Sequence, residues 1–214
     1  MLNVKKFTVN PFQENSYVVY TDKKNAVIID PGFSDEQEEK QLVSFIESNK
    51  LAVEAIWLTH AHIDHIMGLH FCKNHFKIPI YMHTLEKGNL AMGADVAMRY
   101  GLPFKTFNDS VDMNFDDMTS IRLGAESFEI LFTPGHSAGS VSFYHQASNN
   151  IFSGDVLFLQ SIGRTDLPGG NHSTLEKTIV EKIYELPAET IVYSGHGAET
   201  SIGFERENNP FFSV

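Results

Sequence analysis

The residues of this chain best suited to chemistry are crowded into one short stretch. Thr59-His60-Ala61-His62-Ile63-Asp64-His65 places three histidines and an aspartate between positions 60 and 65, directly after an apolar run that reads as a strand. Extended backbone turns alternate side chains to one face, so His60 and His62 point together, and a turn into a following helix swings Asp64 and His65 toward the same space. Imidazole and carboxylate in this combination suit zinc, iron or manganese better than calcium or magnesium. As a competing reading, Asp64 caps the helix and a single histidine is a satisfied polar group, but that accounts for the residues only one at a time.

Three further candidates stand at predicted strand ends beside glycine: His136 in Pro134-Gly135-His136, Asp155 in Gly154-Asp155, and His196 in Gly195-His196-Gly197. Glycine lets the backbone turn tightly and leaves room for a metal and a substrate. With the first cluster they make five histidines and two aspartates. The remaining histidines, His70, His75, His83, His145 and His172, fit no such pattern; His70 follows the cluster on its helix, and His172 falls in a predicted loop close enough to touch substrate.

These motifs, with the early Asp30-Pro31-Gly32, resemble the metallo-β-lactamase superfamily and, within it, the glyoxalase II (hydroxyacylglutathione hydrolase) group of short bacterial type. The resemblance runs in order from residue 30 to residue 197. It implies an αββα sandwich, two sheets face to face with helices outside. It also implies that His60, His62 and His136 bind one divalent ion, that Asp64, His65 and His196 bind a second, and that Asp155 bridges them. The cofactors expected are two divalent metal ions, zinc first, with iron and manganese as alternatives. Two such ions roughly 3.5–4 Å apart lower the pKa of a shared water to near neutrality. Asp64 and Asp155 are the catalytic pair of this reading, Asp64 orienting the hydroxide and Asp155 holding the ions.

The implied substrate is a small-molecule thioester such as S-lactoylglutathione or a related 2-hydroxyacyl thiol. A thiolate, with a pKa around 8.5, leaves without a proton donor, whereas an amine or alkoxide does not. Arg164, in Gly163-Arg164-Thr165-Asp166, pairs either with a substrate carboxylate or with Asp166 to order its loop, and His172 is the second candidate for substrate contact. The larger glyoxalase II enzymes carry a C-terminal helical extension that supplies glutathione-binding groups; only Gly197 to Val214 follows the last motif here. The main alternative is a persulfide dioxygenase, with one iron held by His60, His136 and Asp155. True β-lactamases lack the bridging aspartate that Asp155 supplies.

Composition sets the frame. The 214 residues, 42% hydrophobic with 17 phenylalanines, suffice for a large core, and no linker or charge block divides them, so one domain spanning 1–214 is expected. A net charge of −11 argues against nucleic acid and anionic membrane surfaces as partners. The lone cysteine, Cys72, reads as a small buried hydrophobe. Without a signal sequence or an apolar stretch of spanning length, a cytoplasmic location is expected. Oligomeric state is not legible.

The elements that must position the motifs follow from periodicity. Strands are expected within residues 2–30, over 53–58, 78–82, 120–123, 127–132, 140–145, 151–153 and 190–193. Helices are expected over Asp35–Asn49, from Asp64 through Cys72, in part of Thr84–Phe107, and over Ser173–Leu186.

Overall fold

A computed structural model describes residues 1–105, 107 and 111–212 of the chain. The elements in order are β1 (Leu2–Val9), β2 (Glu14–Thr21), β3 (Asn25–Ile29), α1 (Glu36–Ser48), β4 (Ala52–Trp57), α2 (Ile63–Ile66), α3 (Leu69–Phe76), β5 (Ile80–Met82), α4 (Lys87–Tyr100), β6 (Met113–Asn114) and β7 (Ser120–Leu123). There follow β8 (Glu126–Phe132), β9 (Val141–His145), β10 (Asn150–Gly154), β11 (Leu157–Phe158), β12 (Ser161–Ile162), α5 (His172–Thr178), β13 (Ile191–Ser194), β14 (Thr200–Ser201) and α6 (Ile202–Asn208).

Two six-stranded sheets, ordered β1-β2-β3-β4-β5-β6 and β14-β13-β10-β9-β8-β7, pack face to face. The alternation of side chains along each strand builds three apolar layers. Tyr17, Val19, Val27, Ile29, Ala55 and Trp57 of the first sheet meet Ile121, Phe128, Ile130, Phe143 and Phe152 of the second. The opposite face of the first sheet, with Val18, Ile28, Ile56 and Ile80, is covered by Leu42 and Ile46 of α1 and by Leu69 and Cys72 of α3. The outer face of the second sheet, with Tyr144, Ile151 and Val192, is covered by Leu175, Ile179, Ile183 and Ile202. This is the αββα sandwich. Cys72 is fully buried in the first outer layer, and burial pushes its thiol up, so it packs rather than reacts.

Three expectations need correction. The helix expected from Asp64 through Cys72 is two short helices, α2 and α3, broken at Met67–Gly68. The Gly68 amide is taken by the Pro31 carbonyl at 2.8 Å, and a Cβ at Gly68 would stand 2.9 Å from that of Phe33, so the loop after β3 wedges the two apart. The helix expected over Ser173–Leu186 keeps α-helical geometry only in α5 and continues as one π-helical turn, Ile179–Ile183. Asp64 does not cap its helix, because His62 holds the cap position of α2. Helix α4 supplies the helical part of Thr84–Phe107, of which Thr106 lies outside the described residues. The short β14 and α6 had no counterpart in the expected elements.

Candidate metal centre

The strand ends of both sheets deliver the motif residues to one rim. His60 and His62 follow β4, Asp64 and His65 lie on α2, His136 lies between β8 and β9, Asp155 follows β10 and His196 follows β13. His136 Nε2 stands 2.8 Å from His62 Nδ1 and 3.2 Å from His60 Nε2. His196 Nε2 stands 3.1 Å from Asp64 Oδ2, which is 3.8 Å from His65 Nε2. Asp155 lies between these groups, with Oδ1 3.4 Å from His65 Nε2 and Oδ2 3.5 Å from His136 Nε2 and 3.6 Å from His196 Nε2. All seven expected residues are brought together.

Hydrogen bonds to the far side of three rings fix their tautomers. His136 Nδ1 faces the Arg164 carbonyl at 2.8 Å, which only accepts, so that nitrogen carries the proton. Thr59 Oγ1 donates to Asp30 Oδ2 at 2.5 Å and so accepts from His60 Nδ1 at 3.1 Å. His65 Nδ1 donates to the same Asp30 oxygen at 3.0 Å. In its neutral form each ring therefore has an unprotonated Nε2 turned inward. Two such lone pairs, on His60 and His136, face each other at 3.2 Å, an arrangement no hydrogen bond between them satisfies. His65 Nε2 and Asp155 Oδ1 are buried without a hydrogen-bond partner. Inward lone pairs and buried anionic oxygens fit divalent cations. Donor atoms of His60, His62 and His136 form one compact group, and those of Asp64, His65 and His196 another, within 4.8 Å in each. A third grouping, Asp30 with His60 and His65, also lies within that limit, but the Asp30 oxygens are already engaged by Thr59 and His65.

The charges agree with this division. Burial, reinforced by the neighbouring imidazoles, holds His60 well below its ordinary pKa, and burial with His136 brings His62 down to about 4. Both rings are therefore neutral near pH 7, the form that binds metal. Burial also opposes charge on His65, but Asp155 and Asp64 outweigh it and raise that ring well above its usual value. His196 is raised by its hydrogen bond to Asp64, again against burial. Asp64 and Asp155 stay below the ordinary carboxylate range: burial pushes them up, and the imidazoles around them, His65 foremost with His196 and, for Asp155, His136, together outweigh it. A cation at this group competes with the His65 proton.

Close approach explains two glycines. A Cβ at Gly195 would lie 2.1 Å from Asp155 Oδ1, and one at Gly163 would lie 1.9 Å from the Asp155 carbonyl. Nothing larger than hydrogen fits there. The turn carrying His196 is clamped by β2, where Asn15 donates to Gly195, Ser194 and Gly197 carbonyls and Tyr17 Oη donates to Ser194.

Three buried acids shape the centre although the motifs did not assign them roles. Asp30, the first residue of Asp30-Pro31-Gly32, takes the Thr59 amide on Oδ1 at 2.7 Å and so orients both His65 and, through Thr59, His60. Glu14 stands 3.8 Å from His65 Nδ1, and burial pushes its carboxyl well above the usual range, with His65 opposing. Glu86 accepts from the Ala61 amide and Asn89 on one oxygen and from Ser137 and the Gly139 amide on the other, at 2.7–2.9 Å. It thereby ties the His60–His62 segment to the His136 loop. No local pattern marks Glu14 or Glu86, since each acts on partners distant in sequence. Glu86→Ala is expected to cost about 3–5 kcal/mol, because buried donors lose a charged acceptor. Urea unfolding reads this as a lower midpoint at unchanged slope; a midpoint shift within error would refute the role.

The two residues expected to touch substrate fare differently. Arg164 borders the cavity, but its Nε and Nη2 are engaged by Asp166 at 2.7 and 2.8 Å, so the loop-ordering alternative is the one formed. The pair is exposed, and the Arg164 guanidinium holds Asp166 at about 2. His172 is exposed at the first position of α5, just after the capping Asn171, and is not among the residues lining the cavity. His70 belongs to none of the compact donor groups among the described residues.

The cavity above the centre measures about 660 Å³ and is bordered by Asp64, His62, His136, Asp155 and His196 together with Phe12, the α4 face and the loop bearing Phe158 and Arg164. A wider groove of about 900 Å³ between β1 and α1 contains no histidine.

The metallo-beta-lactamase superfamily profile matches residues 9–196, which include all seven donors. The chain belongs to that superfamily. Among curated relatives it is 39% identical to a probable metallo-hydrolase, YqgX, of Bacillus subtilis, over 98% of this chain and 97% of that one. It is 34% identical to the hydroxyacylglutathione hydrolase GloC of Haemophilus influenzae, over 99% of each. Among solved structures it resembles the BLEG-1 B3 metallo-beta-lactamase (TM-score 0.91, 43% identity, 99% of this chain and 100% of that one). It also resembles TTHA1623 in a di-iron-bound form (TM-score 0.86, 36% identity, 97% and 100%). The superfamily fold binds divalent metals, and the chain is a metallo-hydrolase-type enzyme. Among the described residues no helix is long and apolar enough to cross a membrane.

Proposed function

We propose that this protein hydrolyses the thioester of a small 2-hydroxyacyl thiol, of which S-lactoylglutathione is the type, with two divalent cations held by the seven residues above. The carrying observation is the position of Asp155, whose carboxylate reaches both donor groups: Oδ1 faces His65, and Oδ2 stands between His136 and His196. In this reading His60, His62 and His136 hold one cation, Asp64, His65 and His196 the other, and Asp155 both. When bound, the cations supply Lewis acidity toward the carbonyl oxygen and lower the pKa of water to near neutrality. Asp64 orients the attacking water from the cavity wall. Asp30 keeps the His60 and His65 lone pairs aimed inward, and Gly163 and Gly195 allow Asp155 its approach.

The cavity lining supports a thioester over an amide. Outside the seven donors, its polar side chains are Asn89, Arg99, Tyr100, Ser161 and Arg164, with no carboxyl or imidazole to protonate a basic leaving group. A thiolate needs none. The GloC similarity supports the same substrate class. The acidic surface fits a small molecule better than nucleic acid, and a cytoplasmic, single-domain protein is part of the proposal.

A second reading, β-lactam hydrolysis, is supported by the 43% identity to the B3 metallo-beta-lactamase structure. The persulfide dioxygenase alternative rests on the motif resemblance alone. One set of measurements separates all three. Metal analysis of the purified protein should give two ions per chain, and S-lactoylglutathione turnover should far exceed nitrocefin turnover. One iron per chain with oxygen consumption on glutathione persulfide, or nitrocefin as the better substrate, would replace the thioesterase reading.

A further inference from the structure

One wall of the cavity is a single face of α4. Asn89, Met92, Gly93, Val96, Arg99 and Tyr100 recur at helical spacing and border the cavity together. Two contacts fix this wall against the metal centre. At its start, Asn89 Nδ2 donates to Glu86 Oε2, the oxygen that also takes the amide of Ala61, between His60 and His62. One turn on, Gly93 lets α4 press on α2, since a Cβ there would meet Ile66 Cδ1 at 3.2 Å. The rise of 1.5 Å per residue then carries Arg99 about 15 Å along the axis from Asn89. Between them lies an apolar stretch of Met92 and Val96, and beyond it the Tyr100 ring meets Phe12 edge-on at 5.2 Å between centroids.

The cavity lining contains two permanent cations, Arg99 and Arg164. Arg164 has its Nε–Nη2 edge occupied by Asp166. Arg99 is exposed, and its side chain has no ion pair among the described residues. An arginine at the far end of an apolar wall suits a carboxylate, which it receives through two parallel N–H donors.

We propose that Arg99 is the carboxylate-binding residue of the cavity, receiving the acid group of the substrate's carrier thiol while the thioester lies at the Asn89 end. The proposal rests on the thioesterase reading for the identity of the bound ester. It specifies the carrier as a low-molecular-weight thiol with a carboxylate several bonds beyond its sulfur. Arg99 is thus a specificity residue and takes no part in bond breaking.

The test is binding of thioethers, which cannot be cleaved, to the metal-loaded protein by calorimetry. S-Hexylglutathione carries carboxylates, and S-hexyl-N-acetylcysteamine carries none. Wild type should bind the glutathione ether at least about tenfold more tightly than Arg99→Met does, with weakening by added salt in wild type only and partial recovery in Arg99→Lys. The neutral ether should bind wild type and Arg99→Met alike. Equal affinity of wild type and Arg99→Met for the glutathione ether, equal losses for both ethers, or no binding of the glutathione ether to wild type would each overturn the proposal. S-Lactoylglutathione turnover is read separately: Arg99-dependent binding without turnover removes the thioesterase reading and leaves the carboxylate site standing.

Discussion

Asp155→Asn is expected to lower S-lactoylglutathione turnover by at least about 10³-fold while leaving the protein folded. Loss of a residue that only orients a metal ligand already costs roughly 10–100-fold, and Asp155 faces both donor groups directly. The amide keeps the shape of the side chain but removes the charge, so it weakens attraction for both cations at once. Folding should survive, because the described contacts of the Asp155 carboxylate are imidazoles of the centre and none is a backbone amide. The metal-free variant should still unfold cooperatively but melt below metal-free wild type, since the neutral amide loses the attraction of the imidazoles that hold the Asp155 carboxyl below its ordinary range. Turnover, metal content and the melting profile together check this. Activity near wild type would show that Asp155 holds no catalytic cation, and loss of folding would show a structural site.

The second large effect is expected at Asp30, which lies outside the seven donors. Asp30→Asn keeps an acceptor for the Thr59 amide but places an NH₂ where Oδ2 now accepts from Thr59 Oγ1 and His65 Nδ1. An amide nitrogen cannot accept those protons. His65 then moves its proton to Nε2, and the lone pair that should meet the metal is lost, the same fault that a wrong tautomer causes in other histidine sites. Metal affinity should fall about 10–100-fold, with the Asp64–His65–His196 group emptied first and the metal content falling from two ions toward one. Asp30→Ala should add a stability loss of about 1–3 kcal/mol, because the buried Thr59 amide is orphaned. Metal titration with a competing chelator measures the first effect and urea unfolding the second. Unchanged stoichiometry and affinity in Asp30→Asn would show that the carboxylate does not set the His65 tautomer.

Similar logic connects Glu86 to activity. It touches no donor atom, yet its four hydrogen bonds span the His60–His62 segment, the His136 loop and the start of α4. One buried carboxylate therefore sets the distance between two ligand-bearing segments and the cavity wall.

The sequence by itself marked the seven residues that converge on one rim, and the layered fold. His60 to His65 is legible because its geometry is local: a strand end and a helix start fix the directions of neighbouring side chains whatever surrounds them. Period-two and helical alternation likewise marked the strands from Tyr17 to Tyr193 and helix α1, because each element must bury one face. Only the tertiary structure decided how the donors are held. Asp30, Glu14 and Glu86 carry no local signal, since a buried acid is defined by partners from other parts of the chain. Sequence spacing likewise leaves Arg164 between a substrate and Asp166, and nothing in the local pattern of α4 sets Arg99 apart from an ordinary surface arginine. The break between α2 and α3 follows from Phe33 and Pro31, residues more than thirty positions upstream of Gly68. Side-chain type and spacing select the chemistry; long-range hydrogen bonds and packing select the tautomer, the wall and the opening through which a substrate reaches it.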